Sequence, residues 1–261
     1  RESSIDELRI PSSVRKLKSG CFSLLQLKKI LIYNCSEKNI CIYDKYVIGK
    51  SNIYMDTYDV LYFSLYDNKC NTIPSFIRRI ESCYIYQTSD LFEFPENSEL
   101  RLISNSLIDL NLEKIKIPSS VIEIDMKCFL YCKKIKQIEF APNSNLLSII
   151  GSNSMFSIES ISIPQHVYKI NGKLDIHEIN FHPNSELKII SKCLFQNSFI
   201  RKIVIPSSVL IIEEHAFSNC KCLSDIEFQS NSKLELIGKS SFSRSCIQKI
   251  IIPQHVNCID E

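Results

Sequence analysis

Ile205-Pro206-Ser207-Ser208-Val209-Leu210-Ile211-Ile212-Glu213-Glu214-His215-Ala216-Phe217-Ser218-Asn219-Cys220-Lys221-Cys222-Leu223-Ser224-Asp225-Ile226 is the stretch whose reading decides the fold. Its first five residues return as Ile10-Pro11-Ser12-Ser13-Val14 and Ile117-Pro118-Ser119-Ser120-Val121. They return in altered form at Ile73-Pro74-Ser75-Phe76-Ile77, Ile163-Pro164-Gln165-His166-Val167 and Ile252-Pro253-Gln254-His255-Val256. From Pro118 onward the prolines are 46, 42 and 47 residues apart (118 to 164, 164 to 206, 206 to 253). A second marker sits between them: Glu96-Asn97-Ser98-Glu99-Leu100, Pro142-Asn143-Ser144-Asn145-Leu146, Pro183-Asn184-Ser185-Glu186-Leu187 and Ser230-Asn231-Ser232-Lys233-Leu234. Two forms of a repeat of about 23 residues therefore alternate, which makes the unit a pair.

Each member closes on apolar-x-x-apolar-x-apolar: Ile135-x-x-Ile138-x-Phe140, Ile158-x-x-Ile161-x-Ile163, Ile176-x-x-Ile179-x-Phe181, Ile200-x-x-Ile203-x-Ile205 and Ile247-x-x-Ile250-x-Ile252. The last three positions alternate as a strand does, and β-branched Ile dominates them. A Pro or an Asn-Ser pair then turns the chain, because Pro cannot donate to a ladder and Asn or Ser can bond its own backbone. An apolar pair such as Val121 and Ile124, or Val209 and Ile212, returns to the core. An aromatic follows at Phe22, Phe129, Phe195, Phe217 or Phe242, as filler opposite the strand, with a small buried Cys three residues later at Cys132 and Cys220.

These spacings predict a leucine-rich-repeat solenoid. Its strands line a concave face, short turns or helical turns form the convex side, and the coils wind as a curved right-handed superhelix. Repeats are expected over 1–32 and 73–261, with both ends falling inside a repeat, so the chain reads as a segment of a longer protein. Residues 33–72 lack the marker and hold Tyr43, Tyr46, Tyr54, Tyr58, Tyr62 and Tyr66. This stretch is expected to be a β-rich insertion or degenerate repeats, with strands at Ile40-Cys41-Ile42-Tyr43 and Val60-Leu61-Tyr62-Phe63. Its tyrosines either form a binding loop or cover the degenerate repeats. The interval from Ile163 to Phe181 lacks the Phe-x-x-Cys segment, and Gly172 permits a tight return there.

The pattern Ile-Pro-Ser-Ser-Val-x-x-Ile-x-x-x-x-Phe-x-x-Cys-x-x-Ile/Leu-x-x-Ile, clearest over Ile117–Ile138 and Ile205–Ile226, resembles the BspA-like leucine-rich-repeat proteins of bacterial and protozoan surfaces, the protozoan members most. The resemblance implies an extracellular adhesion or recognition role. The partner it implies is a protein or glycan, including a host-cell or matrix ligand, and the location it implies is the cell surface. The alternatives are an intracellular, cytoplasmic interaction scaffold, which the unpaired cysteines favour, and a targeting segment of a larger protein.

Composition narrows the field. A formal charge of +2 speaks against a phosphate-backbone binder, so nucleic acid is not expected. No window approaches 18 consecutive apolar residues, and no basic segment followed by an apolar run opens the chain, so neither a membrane span nor a signal peptide is read in it. Twelve cysteines are dispersed rather than set out as a disulfide framework. His166 and His255 recur four strand steps apart, roughly 19 Å, too far to share a metal. Cys220-x-Cys222 and Cys128-x-x-x-Cys132 fall in repeat slots and lack the second pair a zinc site needs, while a Cys128–Cys132 bridge stays open. Gly49-Lys50-Ser51 and Gly238-Lys239-Ser240 lack the earlier glycine of a phosphate loop. No catalytic motif, metal site or cofactor is therefore expected, and the chain is read as non-enzymatic.

The remaining candidate surface is the outward side of the strands. It presents Lys28 and Lys29; Lys136, Gln137 and Glu139; Glu159, Ser160 and Ser162; His177, Glu178 and Asn180; Arg201, Lys202 and Val204; Ser224, Asp225 and Glu227; Gln248, Lys249 and Ile251. Ten strand ends at about 4.8 Å make a face near 50 Å long. Its charges alternate from strand to strand, which suits cross-strand pairing and equally a polar partner. The candidate binding residues are Lys136, Gln137, Glu139, His177, Glu178, Arg201, Lys202, Asp225, Glu227, Gln248 and Lys249. Asn34-Cys35-Ser36 is a candidate glycosylation acceptor.

Overall fold

The computed structural model describes residues 7–11, 13–14, 17, 29–32, 39–44, 46–52, 54, 56–64, 72–87, 91–104, 107–152 and 157–260. Asn34 and Lys28 lie outside these residues, and of Lys29 only the strand is described. The chain forms two units, residues 1–112 with 127–134, and residues 113–126 with 135–261.

In the first unit, β1 (Glu7–Ile10) pairs in parallel with β2 (Lys29–Ile32). The Tyr-rich stretch then departs from the repeat. β3 (Ile40–Tyr43) and β4 (Tyr46–Gly49) form an antiparallel hairpin around Asp44, which adopts φ 52°. β4 pairs antiparallel with β5 (Val60–Ser64), and β5 restores parallel pairing with β6 (Arg79–Gln87). β6 is long enough to carry β7 (Leu102–Ser104) and β8 (Leu107–Leu110) one after the other. Both apolar runs of this stretch are thus strands. Its tyrosines divide: Tyr46 and Tyr62 are buried, whereas Tyr43 and Tyr54 are exposed. Tyr43 packs edge-on against Phe76, and the Lys50 ammonium lies over the Tyr58 ring. Buried Asp59 accepts hydrogen bonds from Ser51 N (2.8 Å) and Ser51 Oγ (2.7 Å), closing the intervening loop.

In the second unit, strands of two kinds alternate along the chain: β9 (Lys114–Ile117), β10 (Glu123–Asp125), β11 (Gln137–Phe140), β12 (Ser148–Ile150), β13 (Ser157–Ile163), β14 (Lys169–Asn171), β15 (Asp175–Phe181), β16 (Ile189–Ile190), β17 (Lys202–Ile205), β18 (Ile211–Ile212), β19 (Asp225–Phe228), β20 (Leu236–Ile237) and β21 (Cys258–Ile259). The odd-numbered members to β19 carry the repeat pattern and stack in parallel, β9–β11–β13–β15 and β17–β19. The even-numbered members, joined by β21, stack as a second set of parallel ladders. Their residues are the re-entering apolar pair: Ile124, Ile149, Ile170, Ile190, Ile212 and Ile237 all point inward and are buried. Where short turns or helical turns were expected, these members are extended strands, and among the described residues one 3-10 turn, Met126–Phe129, follows β10. Isoleucine two residues from the turn suits a strand better than a helix.

The two repeat markers build the same corner. In the proline form the N–H three residues on donates to the proline carbonyl, as from Val121 to Pro118 (3.2 Å) and Val209 to Pro206 (3.1 Å). In the Asn-Ser form the serine hydroxyl accepts the leucine N–H, at Ser98, Ser144, Ser185 and Ser232, over 3.2–3.4 Å. Pro presets φ and Ser supplies a local acceptor, so the two forms are interchangeable solutions to one turn.

A third backbone ladder closes the coils on the phenylalanine side. Cys193, Phe195 and Asn197 donate to the carbonyls of Glu214, Ala216 and Ser218; His215, Phe217 and Asn219 donate to Lys239, Ser241 and Ser243. Left-handed residues bracket each phenylalanine, Cys193 and Asn197, His215 and Asn219, Ser240 and Arg244. Inside, Phe195 stacks on Phe217 at 5.1 Å and Phe217 on Phe242 at 5.4 Å. The expected small buried thiols are present: Cys132 donates to Ile108 O, and Cys220 to Phe195 O, each at 2.9 Å. The coil from Ile163 to Phe181 lacks this side. β14 passes through Gly172 (φ 75°) almost directly into β15, and Gly151 N donates to Asn171 O at 2.6 Å.

Candidate functional site

The outward side of the first strand set in the second unit is polar because alternate residues of each strand point away from the core, as in β9, where Lys114 and Lys116 are exposed while Ile115 and Ile117 are buried. The six strands β9 to β19 span about 24 Å at about 4.8 Å per step.

Cross-strand charges meet, but diagonally. In register, Lys116 faces Glu139 and Lys202 faces Asp225. The ion pairs are instead Lys114–Glu139 (2.5 Å) and Lys202–Glu227 (2.6 Å), both partly open to solvent. The hydrogen bond and charge of Glu227 hold the Lys202 ammonium above the usual lysine range. Lys136 lies 3.7 Å from Glu113, and Gln137 Nε2 donates to Glu139 Oε1. Glu178 accepts from Asn180 Nδ2 at 2.8 Å, and Asp225 from Ser224 Oγ at 2.8 Å. His177 stacks on Phe199 with centroids 5.0 Å apart. Arg201 is exposed, and among the described residues no carboxylate pairs with its guanidinium. Gln248 and Lys249 correct the sequence expectation. Both are exposed, yet Ile247–Ile252 forms no strand, and Ile251 is 72% exposed. The apolar pattern is present there, but no ladder with β19 accompanies it.

The strand face meets the turns along a shallow trough with three successive sections. The first runs from Gln137 to His182, the second from His177 to Gln229, and the third from Asp225 to His255. Asn180 and Phe181 belong to the first two, and Gln229 to the last two, so the sections are continuous. Sequence reasoning missed Phe181 and Gln229 because they stand where the strand gives way to the turn. Gln229 Oε1 is fixed there by the Ser207 N–H at 2.9 Å. His166 lies at the rim with Nδ1 2.9 Å from Glu186.

Other titratable groups are structural. Burial raises the Asp175 carboxyl pKa, with Lys173 and His177 opposing, and its Oδ1 is buried without a hydrogen bond. Burial likewise raises the Cys220 thiol. Cys128 and Cys132 are both buried, and no bridge joins one to the other. Among the described residues, no three His, Cys, Asp or Glu side chains gather as a metal site, and no helix is long and apolar enough to cross a membrane.

Parallel coils of about 23 residues, cornered by Ile-Pro-x-x-Val and Asn-Ser-x-Leu, define a leucine-rich-repeat β-solenoid. The chain belongs to the BspA type leucine-rich-repeat region family, whose model matches in six copies over residues 1–54, 62–174 and 154–261. This family model describes a repeat region, and no enzyme family is indicated. No curated protein matches the chain in sequence. Among solved structures it is similar to the pneumococcal vaccine antigen PcpA, at 14% identity over 83% of this chain and 71% of that one, with a TM-score of 0.46. It is also similar to a leucine-rich repeat protein from Eubacterium ventriosum, at 20% identity over 94% of this chain and 60% of that one, TM-score 0.39. A third is a leucine rich cell surface protein from Faecalibacterium prausnitzii, at 13% identity over 85% and 94%, TM-score 0.26.

Proposed function

We propose that this repeat region is a non-enzymatic recognition module of a cell surface, binding a protein or glycan through the strand face and trough of its second unit. The observation that carries the reading is the trough's continuity across successive coils, with amide, imidazole and charged side chains along it and few of them consumed by burial. Such a surface binds by many weak contacts, and its strongest points are cations without an internal partner. Arg201 is one. Lys202 is already engaged by Glu227, so its loss frees an acid as well as removing a base.

The test is binding of the purified chain to cell-surface protein and glycan arrays. Arg201→Glu with Lys202→Glu is expected to weaken binding at least tenfold, about 1.4 kcal/mol, while His166→Ala at the rim changes it little. Equal and negligible effects of the two would remove the strand face as the binding surface. The cysteines are dispersed along the chain, and exposed Cys222 and Cys246 are not joined in a disulfide, which favours the second reading, an intracellular scaffold. Thiol labelling on intact cells, after treatment with an impermeant reductant, separates the two, since a surface protein is then labelled at exposed Cys222 by an impermeant reagent and a scaffold is not.

A further inference from the structure

In the second unit Cys220 is buried and donates to Phe195 O, a packing role that Cys222 and Cys246 do not share. Both are exposed, on neighbouring coils. The third ladder sets these coils side by side: Phe217 N bonds Ser241 O, Asn219 N bonds Ser243 O, and the Phe217 ring stacks on Phe242. Followed to the end of the turn, that stacking brings Cys246 beside Lys221 and so next to Cys222. The side chains agree with the backbone, because Cys246 Sγ donates to Lys221 O at 2.8 Å, the carbonyl bonded directly to the nitrogen of Cys222. Covalent geometry then places Cys246 Sγ within about 6 Å of Cys222 Cα. Stacked coils are about 4.8 Å apart, inside the roughly 4.4–6.8 Å between α-carbons that a disulfide spans.

We propose that Cys222 and Cys246 form a disulfide-forming pair, oxidised by low-molecular-weight disulfides of the glutathione class. The thiolate of one cysteine attacks a sulfur of glutathione disulfide, forming a mixed disulfide and expelling one glutathione thiolate. The thiolate of the other attacks the mixed disulfide at the protein sulfur, forming the Cys222–Cys246 bond and expelling the second. The two cysteines lose two electrons and two protons, and two glutathione thiols carry them away. The bond would fall beside a segment without a strand ladder to β19. Among the described residues, no backbone N–H of 246–252 reaches β19, and the final coil is next tied by Asn257 N and Cys258 N on Glu235 O, by Asp260 N on Ile237 O and by the pairing of β21 with β20. A link at 222 and 246 would tie that coil, which carries Lys249 and Ile251, to the coil that carries Asp225 and Glu227.

The experiment incubates the reduced, folded chain with glutathione disulfide, blocks remaining thiols with an alkylating reagent, and maps tryptic peptides. Cleavage after Lys221, Lys233, Arg244 and Lys249 isolates each cysteine on its own peptide, 222–233 and 245–249. The expected product is these two peptides joined, with the joined species lost on reduction. Cys222→Ser and Cys246→Ser should each abolish it and leave a glutathione adduct on the remaining thiol. Cys132 and Cys220, both buried, should stay unmodified until the chain is denatured, which verifies that it was folded. Two separate glutathione adducts or two alkylated peptides in the unsubstituted chain, or a link from either cysteine to a third, would overturn the pairing.

Discussion

Truncating Phe217 tests whether the third ladder and its aromatic column are a core in their own right. Phe217 is fully buried and lies between two rings, Phe195 at 5.1 Å and 24° and Phe242 at 5.4 Å and 11°. Replacing a buried Phe with Ala costs about 3–5 kcal/mol through lost transfer energy and the cavity left behind. Two stacks are broken rather than one, each contributing about 0.5–1.5 kcal/mol beyond its area, so the upper part of that range applies. With a urea dependence near 2 kcal/mol per molar, a loss of about 4 kcal/mol moves the midpoint down by about 2 M. Phe199 is the control: it is 47% exposed, stacks on His177, and its loss should cost about 1 kcal/mol. Urea denaturation followed by circular dichroism reads the global effect. Because solenoid coils can open locally, amide exchange at Phe217 and Asn219, whose N–H groups bond the next coil, reads the local one. If Phe217→Ala shifted the midpoint no further than Phe199→Ala, the column would be a surface feature and the reasoning would fail.

Gly151→Ala should lower the thermal midpoint by several degrees, because a Cβ there overlaps the Lys173 carbonyl oxygen and lies 2.7 Å from its carbon, and overpacking of this kind costs about 1–3 kcal/mol. A midpoint unchanged by that substitution would mean the short coil is not packed against Gly151. The Lys192 hydrogen bond and charge hold the Glu214 carboxyl below its ordinary range, with His215 and Lys239 adding to the effect. Its folded pKa is depressed, so the pair's contribution is present above the ordinary glutamate pKa and lost as pH falls through the folded value. Lys192→Met should raise the Glu214 titration toward the ordinary glutamate range in carboxyl NMR, and a titration left in place would show that Lys192 is not the cause.

Local chemistry made most of the coil legible. Ile-Pro-x-x-Val and Asn-Ser-x-Leu mark corners because the turn is satisfied within four residues, by a fixed φ or by a serine hydroxyl, and nothing distant is needed. The inward isoleucines were legible for the same reason. The third ladder was not, because left-handed backbone at Cys193 and His215 has no glycine to announce it and is imposed by hydrogen bonds to the next coil. Charge alternation on the strand face was legible, yet Lys114–Glu139 and Lys202–Glu227 pair diagonally rather than with the residue opposite. Long lysine side chains on twisted strands reach the diagonal neighbour as easily as the direct one. Gln248 and Lys249 show the limit of pattern reading: an apolar-x-x-apolar-x-apolar run is necessary for the strand, but pairing with a neighbour makes it.

Three ladders per full coil also explain why the outward strand positions can vary without loss of fold. Stability is carried by backbone pairing and by buried Ile, Phe and Cys side chains, so the outward residues are constrained only by their cross-strand contacts. A single exposed apolar residue at such a position is ordinary by itself. At the second section of the trough the circumstances differ. Val204 is 38% exposed two residues from the Lys202–Glu227 pair, while Phe199, 47% exposed, precedes Arg201, whose guanidinium has no carboxylate partner among the described residues. An apolar side chain beside an unpaired guanidinium is the combination that gains most from being covered, because the partner removes apolar area and supplies an anion or carbonyl together. Val204 and Arg201 should therefore contribute more to binding than Lys202, Glu227 or Glu139, whose charges are already answered within the sheet.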